Sequence, residues 1–271
     1  MKNVLKLNKF LFLLTFSFFI ISCDNDDDTQ TMPEELTIVE TAAATPELSI
    51  LVEALTVADG DLVTTLSGGN FTVLAPTNEA FAAFLSANGF ASLDEVPTDV
   101  LSNILLNHVI TGSVMSTDLA SAGSGYTTTN ATNMDGDNLS LYFSTSSGVE
   151  FNGQSSVVSA DVSASNGIVH VVDAVIGLPT VVTFATSNPT FETLVAALTR
   201  EDLGQDFVSI LSTTEEPSPF TVFAPTNDAF ASLLSELGVD SLGDIDAATP
   251  VSYTHLRAHE TDSYLVCRLL L

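Results

Sequence analysis

The chain has 271 residues, 45% of them hydrophobic, and a formal net charge of −28. That length holds one large or two modest domains, with enough apolar content for a core. Arg200 is the only basic residue between Lys9 and Arg257, and a surface so acidic repels phosphate backbones, which excludes nucleic acid as a partner.

Lys2, Lys6 and Lys9 precede an apolar run from Phe10 to Ile21. Its length suits a signal peptide and is too short for a comfortable membrane span. The run ends in Ile20-Ile21-Ser22-Cys23, which resembles a bacterial lipobox. The resemblance implies a leader over 1–22 and a lipid anchor on Cys23; an ordinary signal peptide with a chance cysteine is the alternative. Asp24-Asn25-Asp26-Asp27-Asp28 then opens a polar, acidic tether over 23–35. An acidic run after the lipid cysteine is similar to the surface-export signal of Bacteroidetes-type lipoproteins; a plain spacer is the alternative. The lipoprotein reading places the protein in the cell envelope, held by lipid in the outer membrane and facing the exterior. Cys267 is the other cysteine, so the expected folded region has no disulfide framework.

Thr45-Pro46-Glu47 is a helix start, followed by Leu48, Leu51, Val52 and Leu55 on one face. Phe71-Thr72-Val73-Leu74-Ala75 is a short β-favouring run that Pro76 ends. Thr77 or Asn78 can cap the helix that follows, with Glu79 near its positive end. Val100 to Val109 reads as a helix with Leu101, Ile104, Leu105 and His108 on one face. A lone histidine on an apolar face is most often a hydrogen-bonded core residue. Leu139, Leu141 and Phe143, then Val149 and Phe151, alternate as strands do. Asp135-Gly136-Asp137-Asn138 lacks the spacing of a calcium loop and reads as a turn. Asn152-Gly153 and Asn166-Gly167 are tight turns, the second leading into a strand over Ile168 to Ile176.

The central words return. Phe220-Thr221-Val222-Phe223-Ala224-Pro225-Thr226-Asn227-Asp228-Ala229-Phe230 repeats the stretch from Phe71 to Phe81, and Asn188-Pro189 repeats the helix start. Two copies of one structural unit follow. The repeated stretch resembles the first signature of the fasciclin-type (FAS1) domain. Asn166-Gly167-Ile168-Val169-His170-Val171-Val172-Asp173 resembles the second. The resemblance implies an α+β fold: a FAS1-like β-sandwich or wedge with helices packed on one side and edge, in tandem. It assigns structural roles to Pro76, Thr77, Asn78, Asn166, Gly167, His170 and Asp173, and to Pro225, Thr226 and Asn227. The family carries a Tyr-His pair, linked to integrin contact in animal members, where this chain has Asn107-His108. Those two residues are therefore carried as a possible recognition pair, with animal-type integrin contact in doubt for want of the tyrosine.

The expected domains are 36–179 and 180–250. By the register of the repeat Pro250 corresponds to Leu101, so the second copy reads as its N-terminal part only, a truncated unit. Residues 251–271 resemble translated sequencing-adapter sequence, which sets His255, His259 and Cys267 aside as site candidates. No GxSxG, HExxH or phosphate loop occurs, and no cofactor is implied. A metal site on His108 and His170 would need ligands that the sequence does not nominate. The expected function is therefore a non-enzymatic adhesion or binding module, touching extracellular matrix, polysaccharide or a cell-surface protein. A spacer lipoprotein without a ligand, or a carboxylate-based hydrolase, are the alternatives.

Overall fold

The computed structural model describes residues 35–214 and 218–245. The expected leader, Cys23, most of the tether and the 251–271 tail lie outside them.

Strand β1 (Phe71–Pro76) and strand β7 (Gly167–Val172) form the centre of the first copy. They pair in parallel, from Phe71 opposite Gly167 to Pro76 opposite Val172. Both faces of this pair are covered, which is why both strands read as nearly continuous apolar runs rather than alternating ones. Val73, Ala75, Val169 and Val171 face the helices, while Leu74 and Val172 face the other way.

The first copy continues outward from that pair. Helices α1 (Ile38–Ala44), α2 (Ser49–Val57) and α3 (Leu62–Gly68) precede β1, and α4 (Asn78–Ala87) and α5 (Thr98–Leu106) follow it. Then come β2 (Val109–Thr111), α6 (Ser116–Ala122), β3 (Ser124–Thr132), β4 (Asn138–Ser144), β5 (Glu150–Phe151) and β6 (Ser155–Ala164). The strands make one ladder in the order β2-β1-β7-β6-β5-β4-β3, and its two end strands touch. The wedge is thus a single sheet folded over at β6, not two separate sheets. Two register shifts in β6, between Val157 and Ser159 and between Ser159 and Val162, accompany the bend.

One core lies between the helices and the β1–β7 face, and includes Leu51, Leu55, Phe81, Leu101 and Leu105. A second, of Leu74, Ile110, Leu141, Phe143, Phe151 and Ile176, fills the inside of the fold. The helix expected over Val100–Val109 stops at Leu106, because Val109 and Ile110 are β-branched and join the sheet beside β1.

The second copy begins with α7 (Val181–Ser187), α8 (Glu192–Leu198), α9 (Phe207–Ser212) and, after the repeated motif, α10 (Asn227–Leu237). The expected strand from Phe220 to Ala224 is not formed; residues 220–226 have no regular secondary structure. Among the described residues no strand lies beside it. Leu74 is 0% exposed, whereas Phe223, at the matching position of the repeat, is 59% exposed. An apolar groove of about 190 Å³, lined by Val181, Phe184, Leu194, Leu198, Phe207 and Val222, lies open there. In the first copy the matching face is filled by side chains of β7 and α5.

The copies touch. Phe184 of α7 sits edge-on to Tyr126 of β3, with ring centroids 5.8 Å apart, and Asn188 Nδ2 donates to the Tyr126 hydroxyl at 3.1 Å.

Candidate functional site

The threonine and asparagine of the repeated motif make the same bonds in both copies. Thr77 Oγ1 accepts the Ala80 N–H and caps α4; Thr226 Oγ1 accepts the Ala229 N–H and caps α10. Asn78 and Asn227 take a different part. Asn78 Oδ1 accepts the Ile50 N–H at 2.9 Å and Nδ2 donates to Pro46 O at 3.0 Å. Asn227 Oδ1 accepts the Thr193 N–H at 3.0 Å and Nδ2 donates to Pro189 O at 2.9 Å. In each case one amide satisfies the backbone at the start of the α2 or α8 turn, which has no side-chain cap of its own. Pro76 ends β1, and Pro225 lies in the irregular stretch ahead of α10.

Asn166 is a three-way tie. Its Oδ1 accepts the Ile38 N–H at 2.8 Å, and its Nδ2 donates to Leu66 O and Gly69 O. It thereby joins α1, the end of α3 and the β6–β7 turn. Gly167 has φ +148°, and a Cβ there would lie 1.9 Å from Phe71 O. Only glycine lets β7 approach β1 so closely at this point. Asp173 Oδ1 accepts the Ser156 N–H, while its own N–H donates to Ser156 O, closing the far end of the β6–β7 pair.

Asn107 and His108 lie inside the protein, 0% and 1% exposed. Asn107 Nδ2 donates to Gly177 O at 3.0 Å and Ile176 O at 3.3 Å, and Oδ1 accepts the Thr129 hydroxyl. His108 Nδ1 donates to Ile104 O at 2.8 Å, and Nε2 accepts the Ile176 N–H at 2.8 Å. Burial pushes the His108 imidazole down to about 4, against a smaller opposing effect of the Ile104 carbonyl. A recognition role for these two side chains conflicts with this geometry, since neither presents an atom to a ligand. They pin the segment that leaves the first copy for the second.

His170 is buried too, 62 positions along the chain, and shares no partner with His108. Its Nε2 bonds Val114 O at 2.9 Å, and its Nδ1 accepts the Asp161 N–H at 3.1 Å. Asp161 was not singled out by sequence. The signal available was a Ser-Ala-Asp interruption of the β-branched run in β6, where a bulge re-aims a side chain. Its carboxylate accepts the Ser116 N–H and hydroxyl, and these two bonds hold it below the usual carboxylate range, with His170 a lesser cause. Among the described residues no group of three or more His, Cys, Asp or Glu is placed to hold a metal ion.

The Fasciclin domain family model matches residues 46–179 and 189–265. The chain belongs to the fasciclin domain family. It is 39% identical over 142 residues to Protein sll1483 of Synechocystis sp., covering 52% of this chain and 73% of that one. It is 30% identical over 190 residues to the transforming growth factor-beta-induced protein ig-h3 of Sus scrofa, covering 69% of this chain and 26% of that one. Cell surface glycolipoprotein MPB83 of Mycobacterium bovis is 46% identical over 80 residues, 27% of this chain and 34% of its own length. A solved FAS1 domain pair from the insect cell adhesion molecule Fasciclin I matches with a TM-score of 0.43 at 21% identity, over 70% of this chain and 64% of that structure. This fasciclin chain thus spans about a quarter of ig-h3 and a third of MPB83.

The signature residues of the first fasciclin copy are therefore spent on the scaffold. Exposed apolar side chains of this copy include Met115, Met134 and Val158. Arg200, the one cation between Lys9 and Arg257, is engaged by Asp202 and by Leu242 O and Ile245 O. No described helix is long and apolar enough to cross a membrane.

Proposed function

We propose that the chain is a lipid-anchored, surface-displayed adhesion module in which tandem fasciclin units bind extracellular matrix, polysaccharide or a neighbouring cell's surface protein. The observation that carries this reading is the family match over two regions of one chain. The similarity to MPB83, a cell surface glycolipoprotein, supports the location, as does the lipobox-like Ser22-Cys23. The Tyr126–Phe184 contact between copies supports joint presentation of two surfaces, which raises avidity toward a repetitive target. The charge restricts the partner: an acidic surface with one engaged arginine favours neutral or cationic groups, or acids bridged by divalent cations. The module is not an enzyme in this reading, and it needs no cofactor.

The test uses the full chain expressed in a bacterial host. Metabolic labelling with a fatty acid should mark the protein, and Cys23→Ala should remove the label. Surface display should increase cell aggregation or retention on matrix and glycan arrays over a control lacking residues 36–250. Labelling without any gain in contact would leave a spacer lipoprotein, and the adhesion reading would be abandoned.

A further inference from the structure

The loop from Gly112 to Ser116, between β2 and α6, is held by three side chains from three different strands. Thr72 of β1 donates its hydroxyl to Gly112 O at 2.7 Å and accepts the Val114 N–H at 2.8 Å. His170 of β7 bonds Val114 O. Asp161 of β6 accepts the Ser116 N–H at 2.8 Å and the Ser116 hydroxyl. Asp161 has φ +57°, unusual for a non-glycine residue, and lies within the bulged stretch of β6. Such strain persists only where the surroundings impose it.

The hydrogen bonds fix the charge state of this cluster. Nδ1 of His170 accepts from the Asp161 backbone, so it carries no proton; Nε2 carries the proton and donates to Val114 O. A proton added at Nδ1 would meet the Asp161 N–H head-on, donor against donor. The nearest group able to accept it is the Asp161 carboxylate, whose Oδ1 lies 4.0 Å from Nδ1. Oδ1 already accepts the Ser116 N–H, so drawing it onto Nδ1 competes with that bond.

We propose that His170 and Asp161 form a proton-driven latch: protonation of the imidazole draws the carboxylate off Ser116 and onto Nδ1, releasing the start of α6 and the loop that carries the exposed Met115. The proton comes from solvent and binds the Nδ1 lone pair; no other bond is made or broken covalently. The other charged groups nearby are committed elsewhere. Asp118 on α6 accepts the Met115 N–H, and Asp173 on β7 accepts the Ser156 N–H. Strands β1 and β2 bring no titratable side chain, and there is no lysine or arginine from Glu35 to Thr199.

The experiment compares the full chain with Asp161→Asn at pH 7.5 and 5.0. Asparagine tolerates positive φ better than most residues, so the variant keeps the bulge. It can still accept the Ser116 N–H, yet it carries no charge to follow the proton. In the natural chain, hydrogen-exchange protection of Leu119 to Ala122, corrected for intrinsic rates, should fall about tenfold on acidification, the loss expected for charge-assisted bonds. The Ser116 amide resonance should move in step with the His170 ring. In the variant the protection should change less than about twofold. An equal response in both proteins, or a Ser116 amide that stays fixed while His170 titrates, would overturn the latch.

Discussion

Acidification should destabilise the first copy through His108, and the size of the effect follows from its surroundings. Both ring nitrogens are already committed, Nδ1 to Ile104 O and Nε2 to the Ile176 N–H. A second proton can enter only at Nε2, where it breaks the Ile176 bond and leaves a buried charge facing a donor. The folded value of about 4 lies below the unfolded value near 6.5, so the fold favours the neutral ring. Its contribution is complete above pH 6.5 and is lost as pH falls toward 4. About two and a half pH units at 1.36 kcal/mol each give about 3 kcal/mol. Urea denaturation at pH 7.0, 6.0, 5.0 and 4.5 reads this loss. The control is His108→Leu, which should cost roughly 2–3 kcal/mol at pH 7 by orphaning the Ile176 N–H and removing one of the two bonds to Ile104 O. In that variant the gap to the natural chain should shrink steadily as pH falls. A constant gap, or a His108 ring resonance that titrates above pH 6, would refute the reasoning.

Three further outcomes are expected. Gly167→Ala should cost roughly 3 kcal/mol or more, since its Cβ would collide with the Phe71 carbonyl at a φ that alanine resists; thermal melting checks it, and a shift under about 4 °C would contradict the close approach. Asn78→Ala should lower the main transition by about 1–2 kcal/mol through loss of the bonds to Ile50 and Pro46. Asn227→Ala removes the matching bonds in the second copy and should leave that transition nearly unchanged. Thr77→Ala should cost about 1 kcal/mol, the usual worth of a lost N-cap, and Thr77→Ser should restore most of it.

Much of the fold was legible because strong local signals agreed. The Phe71–Ala75 run, ended by proline, is a strand, and both Asn-Gly pairs turn the chain between strands. Asn152 and Gly153 each take positive φ, which that pair tolerates. Less legible was β3, Ser124–Thr132, whose serines and threonines carry almost no apolar alternation. It is held in place by contacts from far along the chain, such as Asn103 bonding both Thr132 N and O. Helices α1, α3 and α6 are each seven residues long, too short for a clear apolar period. The strand expected over Phe220–Ala224 shows the opposite limit. Its letters favour β as strongly as those of Phe71–Ala75, but a strand needs neighbours, and none stands beside it among the described residues. For the candidate site, helical spacing picked out His108 and the resemblance to the second signature picked out His170, but neither pointed to their partners. The asparagine ties and the Asp161 bulge depend on backbone groups up to 128 residues away, which no local pattern encodes.

The parallel seating of β7 against β1 underlies every part of this account, from the buried histidines to the open groove of the second copy. Hydrogen exchange read by mass spectrometry on the full chain tests it directly. Amides of 71–76 and 167–172 should exchange together, through global opening of the first copy, and at least about a hundredfold more slowly than those of 220–226. Equal protection of 71–76 and 220–226, or rapid exchange of 167–172 while 71–76 stays protected, would contradict it.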